Sequence, residues 1–429
     1  RPQQAVCAAD PVKGVLALRV LPGVVDQDQR HIVDVGKFLE GADLLIVALV
    51  SVCILALALL LTACGPAGNS SAGGGGLRWE DLEYDHSLEL QYAQQFSVDY
   101  YQGGYALVEI RETGTYLVVP PEADVPSGLD EGVTVLQQPL DRIYLAATSA
   151  MDLFRELDGL DAIRLSGTEA QGWYVEEARA AMEAGEILYA GKYSAPDYER
   201  IYAEGCDLAV ESTMIYHTPE VKEQLEELGV PVLVERSSYE GHPLGRMEWL
   251  KLYGVLLGKE DQAQERFQQT LDRLAPVLDQ EGTGKTVAFF YITSNGGVNV
   301  RKPGDYISKL IGMAGGEYVF QDLGGEENAL STMNLQMEAF YAGAKDADLL
   351  IYNSAVDGGL RTLDELLEKN EVLAEFRAVQ EGNVWCTGQD LFQSSMGLGD
   401  LLLDIHTVLT QEDPEPESLT YLYRLTKEG

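Results

Sequence analysis

The longest stretch of helical spacing in the chain runs from Pro243 to Gln280. Its apolar residues recur at three- and four-residue steps, which places them on one face of a helix. They are Trp249, Leu252, Val255, Leu256, Phe267, Leu271, Leu274, Val277 and Leu278. Gly254 and Gly258 weaken the pattern, so we expect two helical runs with a break near Gly258. Because α/β patterns lie on both sides, the segment predicts a stiff connection between two lobes, with a surface helix of one larger domain as the alternative.

Strand and helix patterns alternate on both sides of this connection. Strands are predicted at DRIYLAAT, AIRLSGT, DLAVEST and PVLVER before it, and at KTVAFFYITS, DLLIYNS and NVWCTG after it. Such alternation indicates mostly parallel sheets covered on both faces. The predicted fold class is therefore α/β: two Rossmann-like lobes, 77–242 and 281–412, joined by a single long α-helix at 243–280, with the ligand cleft between the lobes. A small antiparallel β meander is expected at 96–120 and an acidic tail at 413–429.

The two lobes also echo each other in sequence. Glu199 is followed by a tyrosine three places later and by Asp207 eight places later. Glu338 is followed by a tyrosine and by Asp346 at the same two steps. A buried-looking strand comes next in both cases, which is the trace that two structurally related lobes would leave.

The N-terminal part carries the signs of an exported lipoprotein. Residues 44–63 are almost wholly apolar and long enough to cross a bilayer, but LTACG follows at once. A small residue before an exported cysteine resembles the lipobox of bacterial lipoproteins, in which signal peptidase cuts before the cysteine and Cys64 carries the lipid. Residues 64–76, rich in glycine and serine, then form a flexible tether. A retained transmembrane anchor is the alternative.

The first methionine of the chain is Met151. We therefore interpret residues 1 to about 43 as read-through from upstream of the true start, and we exclude 1–63, which includes the signal segment, from the fold.

Composition and motifs exclude several classes of protein. A formal net charge of −39 repels nucleic acid and anionic membrane surfaces, so nucleic-acid binding is disfavoured. The five cysteines show neither a metal-ligand spacing nor a dense disulfide framework. HExxH, GxSxG and CxxC motifs are absent from the sequence, and no nucleophile and base stand at a recognisable spacing. We expect no catalysis, with a surface lipoprotein hydrolase as the alternative.

The loops after the strands carry the candidate ligand-binding residues, because open α/β sheets bind ligands outside the carboxyl ends of their strands. These residues are Thr148, Ser149, Lys192, Tyr193, Ser212, Thr213, Tyr216, Arg236 and Tyr239 in the first lobe, and Asn295, Arg301, Lys302, Tyr352, Asn353, Trp385 and Phe392 in the second. Cations beside aromatic residues suit an anionic, partly aromatic ligand. The alternative for Arg236 and Arg301 is a surface salt bridge. His217 and His242 could approach each other as metal ligands, but we predict no resident metal or cofactor.

Three stretches match one known family. GKYSAPDYERIYAEGCDLAVEST at 191–213 resembles the family's glycine, extended loop, acidic pair with Glu-Arg-Ile, helix, aspartate and strand. LAATSAMDLFRELDGLDAIRLSG at 145–167 resembles its first strand, cleft loop and helix, and LGKEDQAQERFQQTLDRL at 257–274 resembles its interlobe helix. From about Leu136 to Thr410, the chain resembles ABC-transporter substrate-binding lipoproteins that capture iron-siderophores, haem and cobalamin, the class III periplasmic binding proteins.

The resemblance implies partners and a location. A member of this family binds a small molecule without catalysis and delivers it to an ABC permease and, through it, to an ATPase. We expect a monomer, lipid-anchored on the outer face of the cytoplasmic membrane. In the family an acid before each helix docks on arginines of the permease, and Glu199 and Glu338 occupy those places here. One departure is Cys206-Asp207, where the family has Pro-Asp.

The cargo is the least constrained property. A bare metal ion needs several close His, Asp or Glu ligands, and the cleft loops offer at most two histidines. Cobalamin and haem prefer a broad apolar slot, which could be built in part from Tyr193, Tyr239, Trp385 and Phe392. An anionic ferric chelate is favoured by the cations Lys192, Arg236, Arg301 and Lys302. We therefore predict an iron(III)-siderophore complex, with cobalamin or haem as the alternative.

Overall fold

The computed structural model describes residues 76–324, 332–356 and 358–427. The predicted signal segment and Cys64 lie outside these residues. The described chain forms two α/β lobes, an N-terminal sheet and a helical connection, which confirms the predicted fold class. Within the described ranges, no helix is both long and apolar enough to span a bilayer.

The N-terminal sheet contains the predicted meander. Its strands lie side by side in sequence order: β1 (Tyr84–Ser87), β2 (Phe96–Tyr101), β3 (Tyr105–Ile110), β4 (Gly114–Val119) and β5 (Val133–Gln137). Strands β2 to β4 are antiparallel, as expected, whereas β5 pairs parallel with β4. One face of the sheet packs on the main core through Val98, Val108 and Val118.

The N-terminal lobe is built on a parallel sheet. Its strand order is β12-β11-β6-β7-β8, and every pairing is parallel. The strands are β6 (Ile143–Leu145), β7 (Ile163–Ser166), β8 (Leu188–Tyr189), β11 (Leu208–Ser212) and β12 (Val232–Glu235). The helices are α1 (Met151–Glu156), α2 (Glu176–Ala184), α3 (Tyr198–Ala203) and α4 (Pro219–Glu227).

A short hairpin of β9 (Gly191–Lys192) and β10 (Ala195–Pro196) precedes α3. Gly191 has φ +80°, and a Cβ there would lie 2.4 Å from the Ala195 carbonyl oxygen, so only glycine fits this turn.

The connection between the lobes is helical from Pro243 to Leu278. It consists of α5 (Pro243–Glu248), α6 (Leu250–Leu257) and α7 (Glu260–Leu278). The break at Gly258 is confirmed: Gly258 caps α6 with φ 64°. A second interruption at Trp249 was not predicted. Helix α6 packs on α1, and α7 packs on the last helix of the C-terminal lobe, so the connection contacts both lobes.

The C-terminal lobe has a mixed sheet. Its order is β16-β14-β13-β17-β18-β19, with β15 beside β13. The strands are β13 (Thr286–Ile292), β14 (Val298–Arg301), β15 (Glu317–Tyr318), β16 (Thr332–Leu335), β17 (Leu349–Tyr352), β18 (Val384–Thr387) and β19 (Leu422–Arg424). The helices are α8 (Tyr306–Met313), α9 (Met337–Ala344), α10 (Leu363–Lys369), α11 (Arg377–Glu381) and α12 (Leu398–Thr410).

The predicted acidic tail, 413–429, is in fact part of this lobe as far as the structure describes it. Strand β19 pairs antiparallel with β18 and extends the sheet. Leu422 and Leu425 are buried against the core, which explains why the segment returns to the sheet despite its acidic start.

The sequence similarity between the two lobes has a structural counterpart, but the aspartate of the second lobe that corresponds to Asp207 lies two residues later than predicted. The Asp207 carboxylate accepts a hydrogen bond from the Arg142 amide, just before β6. The Asp348 carboxylate, and not that of Asp346, accepts the corresponding bond from the Thr286 amide at the start of β13. Helix α9 has eight residues and α3 has six, which accounts for the shift.

Candidate functional site

Polar loops follow the carboxyl ends of the parallel strands in both lobes. The central strands β6, β11, β12 and β17 are buried except for the half-buried Ser212, and the polar loops begin where these strands end. Short 3-10 turns begin there: Thr148–Ala150, Thr213–His217 and Ser237–Tyr239 in the N-terminal lobe, and Ser354–Val356 in the C-terminal lobe. Candidate residues of both lobes therefore lie at the sheet edges where the cleft is expected.

A group of buried charges lies where α5 meets both lobes. Glu235 ends β12, Arg246 lies in α5 and Asp305 caps α8. All three are buried, with exposed fractions of 2%, 7% and 0%. Burial raises the pKa of Glu235 and of Asp305, and nearby arginine charge, including that of Arg246, opposes this rise at both carboxyls. Together with Arg301, these residues form what we call the interlobe charge cluster.

Arg301 joins this cluster to aromatic rings. Its Nη1 lies 3.3 Å from Asp305 Oδ2. Its guanidinium carbon lies 5.7 Å from the ring centre of Phe392 and 5.9 Å from that of Tyr306. The guanidinium carbon of Arg246 lies 4.0 Å from the same Tyr306 ring. Two cations stacked on aromatic rings can hold an anion through forked hydrogen bonds and aromatic support.

Hydrogen bonds tie the lobes together beside this cluster. Ser395 donates its hydroxyl to the Ser149 carbonyl at 2.7 Å, and the Met396 amide donates to Asp152 Oδ2 at 2.8 Å. The Gln393 side chain accepts from the Tyr174 amide and donates to the Gly172 carbonyl. The loop before α12 thus fixes one side of the cleft to the N-terminal lobe.

Several predicted residues do lie near one another. Ser149 Oγ lies 3.4 Å from Glu235 Oε2, which places the first cleft loop at the charge cluster that contains Arg301. Lys302, next to Arg301, is half-buried and has no ion pair among the described residues. At the equivalent edge of β17, Asn353 is 1% exposed, and neither polar atom of its side chain has a hydrogen-bond partner in the described chain.

The predicted residues of the N-terminal lobe's outer loops are more dispersed. Lys192 is exposed and Tyr193 is half-buried on the hairpin before α3. Thr148 is exposed, and Ser212 and Thr213 are half-buried at the ends of their strands. Tyr216 is 46% exposed on the turn after β11. The structure shows no contact between these side chains and the interlobe charge cluster.

Arg236 lies directly after β12, as predicted, but neighbouring side chains engage its guanidinium. Its Nη1 lies 2.8 Å from Glu112 Oε2, and its Nε donates to Gln95 Oε1 at 3.0 Å. Its guanidinium also stacks on Tyr239, 4.5 Å from the ring centre. Arg236 therefore forms the salt bridge that the alternative interpretation expected, with Glu112 in the turn between β3 and β4, and Gln95, just before β2, accepts a further hydrogen bond from it.

Three further candidates serve the fold. Arg424 of β19 covers Trp385, 4.7 Å from its ring centre, and Trp385 is 3% exposed. Asn295 accepts from Thr293 inside its own turn. Tyr352 is 0% exposed within β17. Each of them is engaged by local packing or by a local hydrogen bond. The sequence pattern could not show this, because it does not show which neighbouring strand will cover a side chain.

His242, considered as a possible metal ligand, caps a helix in the structure. Its Nδ1 accepts from the Leu244 amide and so caps α5, and its ring stacks on Tyr92. Burial and the Lys309 charge lower its pKa, which favours the neutral ring. In the described ranges, no group of three His, Cys, Asp or Glu side chains could hold a metal ion.

Sequence reasoning missed Arg246, Glu235 and Asp305. Along the sequence, Arg246 cannot be told from an ordinary exposed helix cation; only the structure shows that every residue of α5 is buried, so that its charge needs a partner. Glu235 and Asp305 carried no signal either, because an acid at the end of a strand or before a helix is usually solvated or acts as a helix cap.

Comparisons with known proteins agree with this architecture. The family model described as periplasmic binding protein matches residues 155–391. An uncharacterized lipoprotein of Methanocaldococcus jannaschii is 25% identical over 354 residues, which cover 75% of this chain and 82% of that protein. A second uncharacterized lipoprotein of the same organism is 24% identical over 318 residues, which cover 71% of this chain and 78% of that protein.

Solved structures show the same fold. A periplasmic heme binding protein from Pseudomonas aeruginosa matches with a TM-score of 0.53 and 20% identity, over 67% of this chain and 99% of that one. A petrobactin-binding protein from Bacillus subtilis matches with a TM-score of 0.50 and 12% identity, over 63% and 92%. The chain belongs to the periplasmic binding protein family, whose class III members are two-lobed solute-binding proteins that serve ABC importers.

Proposed function

We propose that this protein captures an iron(III)-siderophore-type complex between its lobes and delivers it to an ABC importer. The observation that supports the proposal is the position of Arg301. Its guanidinium lies near both the Asp305 carboxylate and the Phe392 ring, and a second cation, Arg246, lies over the neighbouring Tyr306 ring. An anionic ferric chelate with aromatic groups matches this combination of charge and rings.

The charge balance of the cluster supports an anionic cargo. The cluster contains two arginine side chains, Arg246 and Arg301. The two carboxyls that face them are buried, and burial raises the pKa of Glu235 and of Asp305, which disfavours their charged forms. In addition, the Nε of Arg246 has no hydrogen-bond partner in the described chain, so one buried donor is available.

Haem and cobalamin are the competing cargoes. Two of the structural neighbours are named as heme binding proteins, from Pseudomonas aeruginosa and Vibrio cholerae, but identities of 20% and 18% concern the fold alone. Two of the four aromatic residues expected to form an apolar slot are engaged elsewhere: Trp385 under Arg424, and Tyr239 under Arg236. Only Tyr193 and Phe392 remain for an apolar slot. This smaller aromatic surface favours a polar chelate over a broad planar ring.

Replacing Arg301 with alanine is expected to weaken the affinity for a ferric catecholate or hydroxamate by about 30-fold or more, because a buried charged partner is lost. Arg301→Lys keeps the charge without the fork and should give an intermediate loss. Affinity is measured by fluorescence quenching, and thermal melts confirm that each variant is folded.

Arg236→Ala is the matched control. Its guanidinium is already engaged by Glu112 and Gln95, so the affinity should stay within about threefold of the original. Equal losses in the Arg236 and Arg301 variants, or no loss in either, would contradict the assignment of the cargo to Arg301.

We also propose that the protein is lipid-anchored through Cys64 on the outer face of the cytoplasmic membrane, and that it acts as a monomer. The M. jannaschii relatives named lipoproteins support an extracytoplasmic location. Cys64→Ala should leave an uncut precursor and remove the mature form from the membrane fraction, as followed by blotting. Normal processing and unchanged membrane retention of that variant would refute the anchor.

A further inference from the structure

The turn between β3 and β4 places an acidic side chain beside the cleft loops of the N-terminal lobe. Glu112 lies in this turn, and its Oε2 lies 2.8 Å from Arg236 Nη1. Arg236 directly follows β12 at the carboxyl edge of the parallel sheet; its side chain is 11% exposed, against 72% for Glu112. The periplasmic binding protein model matches residues 155–391, which include Arg236 but not Glu112. The N-terminal sheet thus adds a carboxylate to a cleft loop of the family region.

The backbone at Glu112 indicates that its side chain has a function. Its φ is +60°, in the left-handed region that favours glycine. Glycine would fit this turn with less strain. Residues held in this region often lie at ligand clamps and switch regions, and the Glu112 side chain uses its position to pair with Arg236.

The N-terminal segment is held firmly next to Arg236. The carboxylate of Glu240, which is 0% exposed, accepts hydrogen bonds from the backbone amides of Gln94 and Gln95. The Gln95 side chain accepts a hydrogen bond from Arg236 Nε at 3.0 Å. The Gln95 amide oxygen and the Glu112 carboxylate therefore orient the Arg236 guanidinium together.

Two tyrosines surround this ion pair. The guanidinium carbon of Arg236 lies 4.5 Å from the ring centre of Tyr239. Tyr216, 46% exposed on the turn after β11, lies close enough for both charges to act on it: burial raises its pKa, the Arg236 charge lowers it and the Glu112 charge raises it. Without the Glu112 carboxylate, this place would present a cation beside two rings, which suits an anionic aromatic group such as a catecholate.

We propose that Glu112 sets the charge selectivity of the cleft: its carboxylate occupies the Arg236 guanidinium, so that the cleft holds ferric chelates of low negative charge in preference to highly charged ones. This inference rests on the proposed function, which supplies a ferric chelate as cargo, and it narrows that class. A ferric tris-catecholate carries three negative charges, whereas a ferric tris-hydroxamate carries none. Engagement of Arg236 by Glu112 therefore disfavours the first chelate and leaves the second unaffected.

The test compares the affinities of the purified protein for these two chelates by fluorescence quenching at physiological salt. Glu112→Gln should raise the affinity for the tris-catecholate by about tenfold, because the freed guanidinium can donate charge-assisted hydrogen bonds to it. The affinity for the tris-hydroxamate should stay within about twofold. Glu112→Gly, which suits the positive φ, should give the same gain, and thermal melts confirm that both variants are folded.

Two further variants show whether the effect acts through Arg236. Glu109→Gln removes the same charge from an exposed position of β3, and both affinities should stay within about twofold, because charges far from the chelate are screened. In the Glu112→Gln background, Arg236→Ala should abolish the gain. Equal gains in the Glu109 and Glu112 variants, or a gain that survives the loss of Arg236, would overturn the proposal.

Failure of this inference differs from failure of the proposed function. If the unaltered protein and both Glu112 variants bind the two chelates with the same affinities, selectivity through Glu112 fails and the proposed cargo stands. If no variant binds any ferric chelate, the proposed cargo fails and this inference fails with it.

Discussion

Replacing Glu248 with alanine is expected to lower the free energy of unfolding by about 3–5 kcal/mol. The Glu248 side chain is 0% exposed, and its carboxylate accepts hydrogen bonds from the backbone amides of Gln91, Tyr92 and Ala93. It also lies 2.8 Å from the Nζ of Lys251, which is 3% exposed. The substitution would leave three amide donors without their acceptor and would remove the carboxylate partner of the buried Lys251 ammonium, which keeps the Glu89 carbonyl oxygen at 3.0 Å as its acceptor.

Glu265→Ala is the matched control, because Glu265 is an exposed residue of α7. Its effect should stay within about 0.5 kcal/mol. In urea unfolding followed by circular dichroism, Glu248→Ala should shift the midpoint strongly and Glu265→Ala hardly at all. Equal midpoints for the two variants would show that the Glu248 carboxylate does not hold the N-terminal segment to α5.

Replacing Glu211 with glutamine is expected to stabilise the protein at alkaline pH. Glu211 is 0% exposed in β11, and neither carboxyl oxygen has a hydrogen-bond partner in the described chain. Burial raises its pKa to about 8. The titratable side chains that interact with it, Tyr144 and Tyr198, have pKa values raised by burial and stay neutral near that pH.

The direction of the pH effect follows from proton linkage. Between the unfolded pKa of about 4.5 and the folded pKa of about 8, the folded state binds the extra proton, so stability falls as pH rises. From pH 5 to pH 9 this loss amounts to roughly 4 kcal/mol, and Glu211→Gln should abolish it.

Thermal melts at the two pH values measure this effect, with Glu223→Gln as the control at an exposed site on α4. A similar pH dependence in the Glu211 and Glu223 variants would show that Glu211 is not the buried acid responsible.

Most elements of the two lobes could be predicted because their apolar patterns are dense and local. DLAVEST and PEVKEQLEELG became β11 and α4 within two residues of the expected ends. The pairing of β14, β16 and β19 could not be predicted. These strands have only three or four residues, β16 alternates exposed and half-buried positions, and their partners are chosen by long-range packing.

The candidate site was predictable only in part, for a similar reason. Ser149, Arg301 and Phe392 lie in strand ends or loops beside the cleft, and the topology of parallel sheets places such residues there. Arg236 occupies an equivalent place but forms a salt bridge with Glu112, in the turn between β3 and β4 of the separate N-terminal sheet. A local pattern cannot show which of two similar arginines will meet a distant acid.

Arg246 is the opposite case: it lies in the charge cluster, but the sequence analysis did not select it. Read along the sequence, it is an ordinary helix cation, and only the packing of α5 between the lobes reveals that it is 7% exposed and close to two carboxyls. A charge on a buried helix needs a partner, and nearby carboxyls supply it here.

The most direct test of the account is a fluorescence titration of the purified protein against ferric catecholate and ferric hydroxamate siderophores, haem and cobalamin. The interlobe charge cluster predicts tight, saturable quenching by at least one ferric chelate, weaker binding of haem and cobalamin, and no turnover of the bound chelate. Tight binding of haem or cobalamin with no response to any ferric chelate would contradict the account.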